Sequence, residues 1–202
     1  SSDLHTSVAG MVFGIAPDKV KELYYRHFSY RDLAKRAGHA TNYYGTPFTI
    51  ANNLKVEIKL IETFQRDYFS KFPLIRRWHH DVQVTLQSLG HITTPLHRYR
   101  AFFGRRWDDA TLREAIAFVP QSVVADILNH GLLAIYDNLR REGVQLLGQI
   151  HDAVLFQVPV GDFALAERAT ALMRIRVPVH GRDLVIPIET KYGYNWGNMV
   201  SK

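Results

Sequence analysis

Four side chains spaced four residues apart, Arg31, Lys35, His39 and Tyr43, set the tightest limit on how this chain can fold. They lie within Ser29–Gly45, which reads Ser-Tyr-Arg-Asp-Leu-Ala-Lys-Arg-Ala-Gly-His-Ala-Thr-Asn-Tyr-Tyr-Gly. In an α-helix each step of four turns through about 400°, so successive members drift by only about 40°. Two cations, an imidazole and a phenol then share one face about 18 Å long. Such a face complements a ligand with anions at one end and an aromatic ring at the other, as a nucleoside triphosphate has. The same spacing also suits a solvated basic helix, and this stretch by itself leaves both readings open.

Local signals support the helix. Ser29 is placed to be its N-cap, and Asp32 three residues on completes a capping-box-like pair. Asp32 also puts a carboxylate in the first turn, where the helix dipole favours it. Ala34, Lys35, Arg36 and Ala37 are good helix formers, whereas Gly38 costs up to about 1 kcal/mol against alanine. A glycine kept there reads as a point of close approach on a substrate-facing surface. Gly45, Thr46 and Pro47 predict the end of the helix.

With 202 residues, 47% of them hydrophobic and 22% charged, the chain has the composition of a globular protein of one or two domains. A net charge of +6 and a pI near 9.6 point to an anionic partner, most commonly nucleic acid. There are no cysteines, which excludes disulfides, cysteine-ligated zinc and thiol nucleophiles. This composition fits a reducing compartment, and a cytoplasmic location is the expectation. No uninterrupted apolar run approaches the ~18 residues of a bilayer span and no signal-peptide pattern opens the chain, so no membrane partner is expected. Ser1-Ser2-Asp3 lacks an initiator methionine and reads as the start of a fragment, a processed product or an excised domain.

Taken in order, Asp3 caps a short helix to about Phe13, with Gly14 as its stop. Val20, Leu23, Tyr24 and Phe28 suggest a second helix over Asp18–Phe28. After Ser29–Gly45, a helical region starts at Thr49, Val56–Phe69 follows, and Pro73–Leu89 resumes after a break at Phe72-Pro73. The character changes after Gly90: two short strands, His91–Pro95 and Leu96–Phe103, lead to a basic, aromatic corner at Gly104-Arg105-Arg106-Trp107. A helix to about Phe118, a second over Gln121–Arg141, a hairpin of Val144–Ile150 with Ala153–Val158, a helix from Gly161-Asp162 and a strand over Leu184–Lys191 complete the chain. The fold class expected is α+β, a helical first part followed by antiparallel strands with helices.

The hairpin places His151 and Asp152 between two apolar strands. An unpaired buried carboxylate costs several kcal/mol, so Asp152 needs a cation, a metal or exposure at a turn tip. A solvated turn, for which aspartate is favoured, explains the dipeptide equally well. A lone carboxylate is also a poor magnesium site.

Together these stretches resemble family A DNA polymerases, the DNA polymerase I-like enzymes, and phage-type members most of all. Asp3-Leu4-His5-Thr6 is similar to the family's Asp-Ile-His-Thr segment. Arg31, Lys35, His39 and Tyr43 resemble motif B, the fingers helix. Gly104-Arg105-Arg106, Arg113-Glu114-Ala115 and Pro120–Asp126 resemble a run in the same order in the family. Gln149-Ile150-His151-Asp152 looks like motif C, and Pro187, Glu189, Gly193 and Trp196 match a typical C-terminal strand. The resemblance implies an incomplete right-hand polymerase fold, with fingers over 1–100 and distal palm over 101–202, the motif C hairpin at 144–158.

What the resemblance implies carries over residue by residue. His5, Arg31 and Lys35 would hold the dNTP triphosphate, Lys35 also protonating the departing pyrophosphate. His39 would stack on the nucleotide, and Tyr43 would lie beside the templating base. Tyr44, Arg113, Gln121, Gln149 and His151 would contact primer–template DNA. Asp152 would be one of two catalytic carboxylates binding a pair of Mg²⁺ ions. Departures from the family pattern are Ala153 in place of glutamate, Tyr44 inserted before Gly45, Ser122 for glycine and Ala117 for asparagine. Motif A, which carries the other metal-binding aspartate, lies upstream of the Asp-Ile-His-Thr segment in the family. The expectation is therefore the C-terminal part of a DNA-directed DNA polymerase, inactive without an upstream portion from the same or a separate chain. A single-subunit phage-type RNA polymerase shares the Arg-xxx-Lys helix and the His-Asp hairpin. A non-catalytic DNA- or nucleotide-binding fragment is the third reading.

Overall fold

Leu4–Phe13 opens the chain as helix α1 in the computed structural model, which describes residues 3–201. The helix stops at Gly14, whose φ of 66° is the left-handed conformation a helix C-terminus calls for. The helix expected over 18–28 does not form. Leu23–Tyr25 (β1) pairs instead with Phe28–Ser29 (β2) in a tight hairpin, with Arg26 at φ 53°. Of the apolar stripe that suggested a helix, Val20 and Phe28 are buried while Leu23 is 71% exposed. Tyr24 stacks on Tyr30 at 4.2 Å between ring centroids and packs on Phe13 at 5.0 Å. That aromatic packing replaces the helical stripe.

Four helices follow: α2 (Tyr30–Asn42), α3 (Pro47–Leu54), α4 (Ile58–Lys71) and α5 (Pro73–Leu89). The Thr46 hydroxyl accepts from the Thr49 N–H, and Pro47 occupies the first turn, so α3 begins before the predicted Thr49. Leu33, Ala34 and Ala37 of α2 are buried with Ala9, Ile50, Ile61, Phe64 and Tyr68 in one core. Each large apolar side chain buried there contributes about 1.5–3 kcal/mol. This core decides which face of α2 is free.

His91–Thr93 (β3) pairs with Tyr99–Ala101 (β4), shorter than the predicted strands. Next comes a single helix, α6 (Asp109–Leu139), with Pro120 inside it, where the sequence suggested two. Proline in a helix interior costs about 3 kcal/mol. Leu112, Ala115 and Ile116 before it, and Val123, Ile127 and Leu128 after it, are all buried and offset that cost. A 3₁₀ turn at Arg140–Glu142 and Gly143, at φ 102°, close the helix. Because the helix is unbroken, residues 109–142 are long and apolar enough, by length and composition, to cross a membrane. The run was invisible in a sequence divided at Pro120, and a core helix passes the same test.

Gln145–Ile150 (β5) and Ala153–Gln157 (β6) form the expected antiparallel hairpin, with a register shift between Leu146 and Gly148. Phe163–Leu172 (α7) is capped by Asp162, which accepts from the Leu165 N–H at 2.9 Å. Arg176–Val179 (β7) pairs with Arg182–Val185 (β8), and Lys191–Tyr192 (β9) with Val200–Ser201 (β10). The strand expected over 184–191 is thus two strand ends with irregular chain between them, and β7 was not anticipated. Leu128, Ile135, Leu139, Val144, Leu165 and Met173 form the core under β5–β6.

The described residues fall into two units. One runs to Ile92 and includes Ala101–Ala117; the other comprises Thr93–Arg100 and the chain from Phe118. The first is helical apart from short strands and the second mixes antiparallel ribbons with helices, an α+β fold as expected.

Candidate nucleotide and nucleic-acid site

Helix α2 is fixed at both ends. At its start the Ser29 hydroxyl accepts from the Asp32 N–H at 3.1 Å and lies 2.8 Å from the Asp32 carboxylate, the predicted cap. At its end the Gly45 N–H donates to the Ala40 carbonyl at 2.8 Å and the Tyr44 N–H to the Thr41 carbonyl at 3.0 Å. This is a Schellman turn, and the residue in the left-handed conformation is Tyr44, at φ 63°. The helix therefore stops at Asn42, short of the predicted Gly45. A non-glycine residue in that conformation costs about 1–2 kcal/mol. Three side chains hold the turn against that cost. Gln65 donates to the Thr41 hydroxyl at 3.0 Å and the Gly45 carbonyl at 2.8 Å; Tyr68 donates to the Asn42 side chain at 3.0 Å; and His79 Nε2 lies 2.8 Å from the Asn42 carbonyl.

With Leu33, Ala34, Ala37, Gly38 and Thr41 buried, the outward face of α2 carries the predicted series. Lys35 and His39 are exposed, while Arg31 and Tyr43 are partly exposed. The His39 and Tyr43 rings meet at 4.7 Å, tilted by 58°. Gly38 does not face a ligand: a Cβ there would lie 3.4 Å from the Tyr68 ring, so its close neighbour is the protein core. Tyr44 packs edge-on against His79 at 5.2 Å and borders a groove of about 440 Å³ whose lining includes Arg76 and His80.

Packing of α1 on α2 brings His5 to the same face. Its pKa is lowered from 6.5 chiefly by burial, with Lys35, Arg31 and His39 pushing the same way and Asp3 opposing. The imidazole is thus within electrostatic reach of three of the four predicted residues, although 26 positions or more separate it from them in sequence. Asp3 was not anticipated as a partner. Its carboxylate lies 2.6 Å from Arg31 Nε and also accepts from the Thr6 hydroxyl, and the Arg31 hydrogen bond lowers its pKa to about 2. The phosphate-seeking groups cluster at the N-terminal end of α2 and the rings at its C-terminal end. The first-turn N–H groups of Tyr30, Arg31 and Asp32 are engaged by the Glu22 and Val20 carbonyls and the Ser29 hydroxyl, so the side chains and the helix dipole alone favour an anion at the former.

The second unit holds the other predicted residues apart from Arg113. Ile150 pairs with Ala153, leaving His151 and Asp152 as a two-residue tip. Both are exposed, with His151 at φ 53°, and Gln149 is exposed on the adjoining strand. Exposure is how Asp152 avoids the burial cost. Gln121 projects from α6 into solvent here, and Arg113 is exposed on the part of α6 in the first unit. Sequence reasoning missed the bidentate pair of Arg98 with Asp126, whose partners lie 28 residues apart. Among the described residues no group of three histidine, aspartate or glutamate side chains could hold a metal ion. Asp152 offers one carboxylate, which does not fit a magnesium pair by itself.

The exposed face of α2 and the His151-Asp152 hairpin tip are thus the two candidate sites of this chain. The family model for DNA polymerase family A matches residues 1–198, and the chain belongs to that family. It is 28% identical over 205 residues to DNA polymerase I of Chloroflexus aurantiacus, covering 98% of this chain and 21% of that protein. With the thermostable DNA polymerase I of Thermus filiformis it shares 27% over 203 residues, covering 96% of this chain and 23% of the other. The chain thus spans about a fifth of the length of the curated relatives it matches. Its fold is similar to the POL domain of Pol1 from M. smegmatis, solved in complex with DNA primer-template and dNTP. The TM-score is 0.72 at 24% identity, covering 86% of this chain and 30% of that one.

Proposed function

We propose that this chain is the fingers and distal palm of a DNA-directed DNA polymerase, which adds dNTPs to a primer 3′-hydroxyl under template direction. The observation that carries this reading is the solvent-facing series Arg31, Lys35, His39 and Tyr43 with His5 drawn alongside it, in a chain of this family. In this reading His5, Arg31 and Lys35 bind the triphosphate through charge-assisted hydrogen bonds. Lys35 supplies the proton for departing pyrophosphate, and His39 and Tyr43 flank the nucleotide and templating base. Tyr44, Arg113, Gln121, Gln149 and His151 contact primer–template DNA. The fingers take in residues 1–100 and the palm 101–202.

Two Mg²⁺ ions would activate the primer hydroxyl and stabilise the leaving oxygen when bound. Asp152 is one carboxylate of such a site, and an upstream portion of the polymerase, in the same or a separate chain, supplies its counterpart. The test is primer extension by the chain combined with that portion. Incorporation of dNTPs but not rNTPs, abolished by Asp152→Ala, is expected. Incorporation of rNTPs would move the reading to a single-subunit RNA polymerase, and extension undiminished by Asp152→Ala would overturn the assignment of the hairpin.

A further inference from the structure

We propose that Asp3 is a positioning residue for the triphosphate end of the site, holding Arg31 by its Nε so that both terminal nitrogens stay available to a phosphate. The inference rests on the nucleotide-binding reading of α2. The same Asp3 oxygen that lies 2.6 Å from Arg31 Nε accepts from the Thr6 hydroxyl at 3.1 Å, so the carboxylate is oriented from its own helix. Asp32 is 4.0 Å from Arg31 Nη1, beyond hydrogen-bond distance, and is itself engaged by Ser29. Arg31 stands in the first turn of α2, where the helix dipole repels a cation. An anchoring carboxylate is what keeps a guanidinium there in one orientation. The ion pair with Arg31 lowers the Asp3 pKa to about 2, so the carboxylate keeps its charge well into acid.

A carboxylate beside a phosphate site also repels the phosphate, so two effects compete. Asp3 is exposed, and water and salt screen its field; screening does not weaken its hold on the side chain's geometry. Contact through Nε alone leaves the Nη1/Nη2 fork for bidentate recognition. Positioning therefore outweighs repulsion, and the sign of the effect separates the two.

The experiment is a fluorescence titration of the chain with a mant-labelled dATP. Asp3→Ala should weaken binding about fivefold, the cost of an unordered arginine, although it makes the site more positive. Asp3→Asn, which keeps an oxygen acceptor for Nε, should stay within about twofold of the parent, with thermal unfolding unchanged in both. Asp3, at the N-cap position of α1, makes no side-chain cap hydrogen bond, so Asp3→Ser, a short polar residue without the carboxylate, serves if the alanine variant fails to fold. Tighter binding, or unchanged binding, by Asp3→Ala and Asp3→Ser would overturn the proposal. If Lys35→Ala left binding intact, or the parent bound no nucleotide, the nucleotide-binding reading itself would fall; loss in Lys35→Ala with no effect at Asp3 would sink the positioning role alone.

Discussion

His5 shows how a residue's chemistry here depends on neighbours far away in sequence. Burial, with Lys35 and Arg31 nearby, keeps its imidazole below its ordinary pKa, so it is largely neutral at pH 7 without nucleotide. A bound triphosphate would favour the protonated form and raise that pKa. Affinity gained this way is fully present below the free-state pKa and is lost as pH rises through the bound-state one. Nucleotide affinity should therefore increase as pH falls from 8 toward 6, and His5→Gln should flatten that dependence. Titrations at several pH values check this; a His5→Gln profile parallel to the parent's would place the proton elsewhere. The series on α2 was legible in the sequence because four-residue spacing maps directly onto a helix face. Asp3 was not, since a cap for α1 and a partner for Arg31 look identical until the two helices pack.

At the scale of the element, the start of α2 was readable and its end was not. Ser29 and Asp32 are local signals, and both act as such. The C-terminal turn depends on Gln65, Tyr68 and His79, from helices 20 or more residues on, which let Tyr44 take a conformation usually left to glycine. Gly45 is needed for a different reason: a Cβ there would lie 2.8 Å from the Ala40 carbonyl oxygen and 3.1 Å from the Ile50 side chain. Gly45→Ala should destabilise the fold by about 1–3 kcal/mol, read from the shift in a urea unfolding midpoint. An unshifted midpoint would show that the turn relaxes freely. The same contrast explains α6 and β1–β2. Pro120 and an apolar stripe are strong local signals, and burial on either side of the proline and packing on Phe13 and Tyr30 override them.

For the molecule as a whole, a helical part followed by a mixed part was visible in the change of periodicity after Gly90. The crossing of the chain between units, with residues 101–117 returning to the first, was not, because it depends on long-range contacts. Net charge and the exposed cations predict that primer–template DNA binds with affinity falling steeply between about 50 and 200 mM salt. Fluorescence anisotropy over that range checks it, and salt-independent binding would contradict a phosphate-contacting surface. Binding of an incoming nucleotide's triphosphate by α2 is the proposed step on which the other roles depend. Its most direct test is to titrate the chain and its Lys35→Ala variant in parallel with a mant-labelled dNTP and with labelled primer–template DNA. The variant is expected to lose nucleotide binding, by at least tenfold (about 1.4 kcal/mol), and to keep its DNA affinity within about twofold. Loss of DNA affinity with nucleotide binding retained would contradict it.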